Sequence, residues 1–216
     1  MSPRATAPAT WPAIAADLAR HAAGLTPAED ARHVRVGIDG APAAKPRDLA
    51  EAIALELRPL GREAIVVPAE GFLKPASLRF EHGKRDADAF LDLWLDSGAM
   101  FREVFDPLEA KGSGRILPDL WDPVRDRATR SPYVELAAGT VVIVVGTMIL
   151  NRWFPFDLSV HIHLSAGALR RKTDESAQWT LPAFARYDEE TDPLNTADVA
   201  VRADHADRPA WSRLPR

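Results

Sequence analysis

The sequence predicts an α/β fold in three layers, a mainly parallel sheet of five strands with helices on both faces. Three observations predict it. Residues 141–145, Val-Val-Ile-Val-Val, are five consecutive β-branched residues ending at Gly146, the pattern of a strand covered on both faces. Residues 34–39 lead through the small-residue loop Gly40-Ala41-Pro42-Ala43-Ala44-Lys45 into Leu49, Ile53, Leu57 and Leu60 at helical spacing. Strand-like and helix-like stretches then go on alternating, which implies parallel strands joined by helical crossovers.

Each element has its own signal. Trp11, Ile14, Ala15, Leu18, Ala22 and Leu25 repeat at helical spacing behind Thr10 and Pro12, so residues 1–30 read as an extension whose amphipathic helix lies on the domain. The strand 34–39 opens the main domain, residues 31–210, and a helix follows from about Pro46. Residues 64–67 form a short buried strand, and 71–85 are irregular, with proline, aromatic and charged residues. Phe90, Leu91, Trp94 and Leu95 place a helix over 86–100, and the Gly-, Pro- and Asp-rich stretch 106–132 is loop. After the strand at 141–145 come a strand at 158–164, a helix at 165–172 capped by Ser165, and a last strand at 199–202. A tail at 211–216 ends the chain. In a sheet of this kind ligands sit at the carboxyl ends of the strands.

With 27 Lys plus Arg against 31 Asp plus Glu, the net charge of -4 offers no general attraction to nucleic acid or to acidic membranes. The absence of cysteine excludes disulfides, thiolate metal sites and thiol nucleophiles, and suits a reducing compartment. Residues 140–150, the strongest apolar stretch, have about half the length a bilayer span needs. A cytoplasmic location and small-molecule partners are the expectation.

The segment Val34-Arg35-Val36-Gly37-Ile38-Asp39-Gly40, running through the loop into Asp48-Leu49-Ala50, resembles the start of uridine kinases and related nucleoside kinases of the P-loop NTPase superfamily. Val66-Val67-Pro68-Ala69-Glu70-Gly71-Phe72 resembles the second strand and the acidic-x-Phe turn of that family. Arg79-Phe80-Glu81-His82-Gly83 resembles its substrate-side loop, and Leu169-Arg170-Arg171-Lys172 its arginine-bearing lid. The likeness spans roughly residues 34–209 in six short segments whose order and spacing carry it. It implies a P-loop NTPase-like fold, a nucleoside or nucleotide as ligand and, in an active member, ATP with Mg²⁺. It also implies Glu70 as catalytic base, Gly40, Lys45, Arg47, Arg170 and Arg171 on the nucleotide, and Phe72, Arg79, Phe80 and His82 on the substrate.

The same likeness exposes departures. A phosphate loop has the form G-x-x-x-x-G-K-[ST], in which backbone N–H groups and the lysine hold phosphates and the hydroxyl binds magnesium. Counted from Gly40, Lys45 stands for the second glycine, Pro46 for the lysine and Arg47 for the hydroxyl residue. Pro42 and Pro46 have no N–H to donate. At roughly 1.5 to 3 kcal/mol for each charge-assisted bond, losing two weakens ATP by about two to four powers of ten. Val145 stands where the family carries a glutamate near the metal. Three readings stay open: an active nucleoside kinase, a regulatory module that keeps the nucleoside side of the cleft, and an enzyme acting on another anion through Lys45 and Arg47.

His161 and His163 alternate along a strand and share a face, but no carboxylate or third histidine lies at ligand spacing in sequence. They are expected to be satisfied by their neighbours, with no metal. The aromatics Phe90, Trp94, Phe101, Phe105, Trp121, Trp153, Phe154 and Phe156 read as packing residues.

Overall fold

A computed structural model describes residues 6–26 and 33–212. Its centre is a seven-stranded sheet of β1 (Thr6–Pro8), β2 (Val34–Gly40), β3 (Ala64–Pro68), β4 (Val141–Gly146), β5 (Leu158–His163), β6 (Val199–Arg202) and β7 (Ala210–Ser212), in the order β1-β7-β6-β5-β2-β4-β3. The five strands from β6 to β3 are parallel, as expected. β7 and β1 extend that core antiparallel, pairing Val201 with Trp211 and Ala7 with Trp211. At two and three residues of pairing, neither has a pattern visible in sequence. The last four residues of the expected tail, 213–216, lie outside the described residues.

The sheet separates two cores because strand side chains alternate. Val141, Ile143 and Val145 join Val34, Val36 and Ile38 under α1 (Trp11–Gly24) and α2 (Pro46–Leu57). Val142 and Val144 face the other way, against Met100, Phe105, Leu108 and Phe154. On that second face Arg35 is buried and held by Asp157, with Nη2 at 3.0 Å and Nε at 3.1 Å, while Glu109 takes Nη1 at 3.1 Å. The α1 helix begins where Thr10 Oγ1 accepts from Ala13 N, and it buries Ile14, Leu18 and Ala22.

Four elements depart from expectation. Leu60 leaves the helix in the short turn Arg58–Leu60 and is 44% exposed, because α2 ends at Leu57. β3 is an edge strand and mostly half-buried, not covered on both faces. The helix expected over 86–100 is two, α3 (Ala87–Asp92) and Ser97–Met100, begun by the caps Asp86 and Asp96. Between them the chain is drawn aside to bond Phe72–Lys74: Asp96 N donates to Phe72 O, and Lys74 N to Trp94 O, each at 2.9 Å. Local propensity lost there to tertiary hydrogen bonding. Finally, residues 184–187 belong to a helix the pattern did not show. The expected α4 (Ala166–Lys172) is capped by Ser165, and α5 (Leu181–Thr191) follows it. α5 buries only Ala183, Phe184 and Tyr187, too few apolar residues to announce a period.

Within 106–132 the loop contains one small pair of its own, Trp121–Asp122 with Arg127–Ala128, and Arg115–Ile116 pairs beyond it with Val134–Glu135. Among the described residues no helix is long and apolar enough to cross a membrane.

Candidate functional site

The loop after β2 leaves the carboxyl edge of the sheet and closes on itself. Pro42–Ala44 form a 3-10 turn in which Ala44 N donates to Ala41 O at 2.8 Å and Lys45 N to Pro42 O at 3.0 Å. Asp48 N donates to Lys45 O at 3.1 Å, in the first turn of α2. Lys45 takes a left-handed backbone, φ 54° and ψ 52°, the conformation that glycine adopts with least strain. Pro46 is the first residue of α2, buried, where a missing N–H does no harm. Gly40 passes so close to β5 that a Cβ would stand 3.2 Å from Ile162 O.

Two openings flank this loop. One is a cleft of about 780 Å³ between α1, α2 and the turn after β6, lined by Trp11, Ala44, Lys45, Asp48, Leu49, Ala52, Lys172 and Ala206. Trp11 Nε1 donates to Ala206 O at 2.7 Å and so ties the N-terminal helix to the far wall. The other is a pocket of about 120 Å³ on the opposite side of the loop, lined by Pro42, Glu70, Leu73, Phe90, Trp94, Thr147, Met148 and Arg152. Phe90 and Trp94 of its wall pack on each other and on Trp179, edge to face or tilted, at 5.1 to 5.6 Å. Trp94 Nε1 and Arg152 Nε are buried with no hydrogen-bond partner. Arg152 is otherwise held by the carbonyls of Leu91 and Asp92. Unmet donors in the wall of a pocket are a demand for an acceptor from outside.

Glu70 follows β3 in the turn Ala69–Phe72. Its side chain reaches water, yet the pocket walls crowd it. That desolvation raises the carboxyl above its ordinary value, opposed by its own backbone N–H and by the charge of Arg47. Arg47 itself is exposed and paired with Glu51, Nε to Oε1 at 2.8 Å.

The remaining expected contacts fare differently. Phe72, 1% exposed, points into the second core, so it packs the sheet and does not line the pocket. Arg79 is buried and consumed locally: Nε donates to Lys74 O at 2.7 Å, and the guanidinium lies 5.0 Å from the Phe80 ring and 5.3 Å from that of Trp94. Burial lowers its pKa. Phe80 buttresses Trp94 edge to face at 5.5 Å, and His82 is exposed in the loop beyond. Arg170 and Arg171 are exposed on α4 and line neither opening; Lys172 reaches the large cleft, with Nζ on Ala203 O at 2.9 Å.

A polar centre that the sequence reading passed over lies between β2, β5 and α5. Asp39 is fully buried, its Oδ1 accepting from Ile149 N at 2.9 Å and its Oδ2 from Tyr187 Oη at 3.1 Å. His161 Nδ1 lies 2.6 Å from the same Oδ2. Burial and then the Asp39 carboxylate raise the Tyr187 phenol well above its ordinary value. His161 Nε2 is buried without a partner, so the expectation of neighbour-satisfied strand histidines fails on one nitrogen. Asp188, from α5, brings a carboxylate beside both histidines. Burial, His161 and Arg202 lower His163 to about 4. The Asp-His pairing across β2 and β5 was legible only as register, Asp39 opposite His161, which sequence does not supply.

No family model and no curated protein matches the chain. Solved structures do. A possible uridine kinase from Bacillus stearothermophilus is 19% identical, with TM-score 0.68 over 87% of this chain and 97% of that one. A candidate fructose transport system kinase from Silicibacter sp. TM1040 is 20% identical, with TM-score 0.62 over 88% and 95%. D-glycerate 3-kinase from Cryptococcus neoformans is 12% identical, with TM-score 0.53 over 89% and 92%. The three-layer fold is shared with these three solved kinases.

Proposed function

We propose that this protein is a kinase-fold binding module that takes a nucleoside or nucleotide at the carboxyl edge of its sheet and does not hold a triphosphate as P-loop kinases do. One observation carries the reading: the turn of the Gly40–Asp48 loop directs the amides of Ala44, Lys45 and Asp48 to its own carbonyls, while Pro42 and Pro46 have no amide hydrogen. A phosphate cradle depends on those positions. Magnesium fits no better. The residue at the hydroxyl position is Arg47, engaged with Glu51, and the residue before the final Gly146 of β4 is Val145, so the oxygen ligands a hydrated Mg²⁺ requires are missing from the expected places. The loop on this account is a degenerate Walker A.

The walls of the two openings suit such a ligand better than the loop does. The pocket of Glu70, Trp94 and Arg152 combines a flat aromatic face, a carboxylate and unmet N–H donors, which suits a small polar ring carrying hydroxyls. The large cleft with Lys45 and Lys172 at its walls suits an anionic or heteroaromatic group. Thermal unfolding with a panel of nucleosides and their mono-, di- and triphosphates tests the reading. A nucleoside or nucleotide is expected to raise Tm equally with and without Mg²⁺, and the gain is expected to vanish in Trp94→Ala. Stabilisation by none of the panel would remove the reading, and tight Mg²⁺-dependent ATP binding would reverse it.

A second reading, phosphoryl transfer to a substrate hydroxyl with Glu70 as base, draws support from the raised pKa of Glu70 at the pocket mouth. A coupled assay with several nucleosides and both ATP and GTP decides it. Turnover above a heat-killed control that is lost in Glu70→Gln would favour transfer, and none is expected.

A further inference from the structure

We propose that His161, His163 and Asp188 bind one divalent transition-metal ion of the zinc class, with His161 coordinating through Nε2 and Asp39 fixing its orientation. Among the described residues these three form a group whose donor atoms all lie within 4.8 Å of one another. Two imidazoles and a carboxylate with a further position open are a donor set that zinc and its neighbours accept. The second, independent observation is His161 itself. It is 5% exposed, and its Nε2 has no partner. Nδ1 lies 2.6 Å from the Asp39 carboxylate, a contact that favours the ring proton on Nδ1 and so a free lone pair on the unpartnered Nε2. Carboxylate-oriented imidazoles of this kind are the usual support of a metal-binding histidine.

The space agrees. A chamber of about 20 Å³ opens between Asp39, Met148, His161, His163, Phe184 and Asp188, room for one water or one ion. Metal–nitrogen bonds of about 2.0–2.1 Å require the donors to close to about 3.5 Å. Asp188 is the exposed member of the group, so it is the donor least held by packing. Bound there, the ion would join β5 to α5, two elements otherwise linked across this gap through Asp39 and Tyr187. The proposal is independent of the nucleotide reading, since none of its three ligands lines the large cleft or the Glu70 pocket.

The test uses the full chain without a histidine tag, stripped with a chelator and titrated with Zn²⁺ by calorimetry. One ion per chain and a rise in Tm on loading are expected. Asp188→Asn and His163→Ala are each expected to weaken binding at least tenfold. Asp39→Asn, which alters a positioning residue, is expected to weaken it about 10–100-fold while keeping the stoichiometry. Co²⁺ loading adds a spectroscopic reading, with d–d bands of a four- or five-coordinate nitrogen–oxygen set that shift in Asp39→Asn. If His163→Ala does not fold, the exposed Asp188→Asn and the wild-type titration decide alone. No binding of Zn²⁺ or Co²⁺ would overturn the proposal and leave a buried water on His161 Nε2. Unaltered affinity in Asp188→Asn would overturn it as well, placing the metal on other histidines such as His21, His33, His82 or His205.

Discussion

Asp39 gathers three hydrogen bonds on one buried side chain: a backbone amide, a phenol and an imidazole meet on its two oxygens. Removing it leaves three buried partners, Ile149 N, Tyr187 Oη and His161 Nδ1, without that acceptor. Asp39→Ala is therefore expected to cost about 3–5 kcal/mol, read from the urea midpoint at unchanged slope; a loss below about 1 kcal/mol would contradict the network. Glu70 works in the opposite sense. Its carboxyl is raised in the folded chain, so between its unfolded and folded pKa the native state binds more protons and stability falls as pH rises. Glu70→Gln should accordingly raise Tm at pH 7 to 8, with the gain shrinking toward pH 4, where wild-type Glu70 is itself protonated. Equal gains at both pH values would show that charge is not the cause.

At the scale of elements, the loop and the two helices around it carry the functional question. Pro46 at the start of α2 and the left-handed Lys45 before it make a sound helix entry and a poor phosphate cradle. Writing a G-x-x-x-x-G-K-T pattern into the loop, as Lys45→Gly, Pro46→Lys and Arg47→Thr together, is expected to raise Mg²⁺-ATP affinity by about 10–100-fold in calorimetry, from one or two added charge-assisted bonds. An unchanged affinity would mean that the loop's sequence is not what limits it. The α1 helix has a plainer role. Its face of Ile14, Leu18 and Ala22 is buried beneath α2, and Leu18→Ala is expected to cost about 2–5 kcal/mol.

Across the whole molecule the sheet keeps two cores apart, since Val141, Ile143 and Val145 serve one face and Val142 and Val144 the other. Phe105→Ala, in the second core, is expected to cost about 3–5 kcal/mol. Because Phe105 and Leu18 share no partner across the sheet, the double variant should be additive within about 0.5 kcal/mol by urea denaturation. A larger coupling would show that one face reads the packing of the other. The large cleft lies beside α1 and α2, and the aromatic pocket, with Trp94 in its wall, draws residues from both cores, Met148 from one and Ala69 from the other.

Local chemistry determined much of this protein. Runs of β-branched residues, helical spacing and caps such as Ser165 determined the five parallel strands and the helices at 11–24, 46–57 and 166–172, because those signals lie within a few residues of one another. The small residues after β2 likewise announced a loop between that strand and the helix at 46–57. What only the tertiary structure decided depends on residues far apart in the chain. Phe72 and Arg79 went to packing because the second core and the carbonyl of Lys74 claimed them. Arg152 and Trp94 entered the pocket from separate segments, and Asp188 reached the two strand histidines from a helix that begins eighteen residues after His163. Such meetings are set by strand register and helix docking, and no spacing along the chain encodes them.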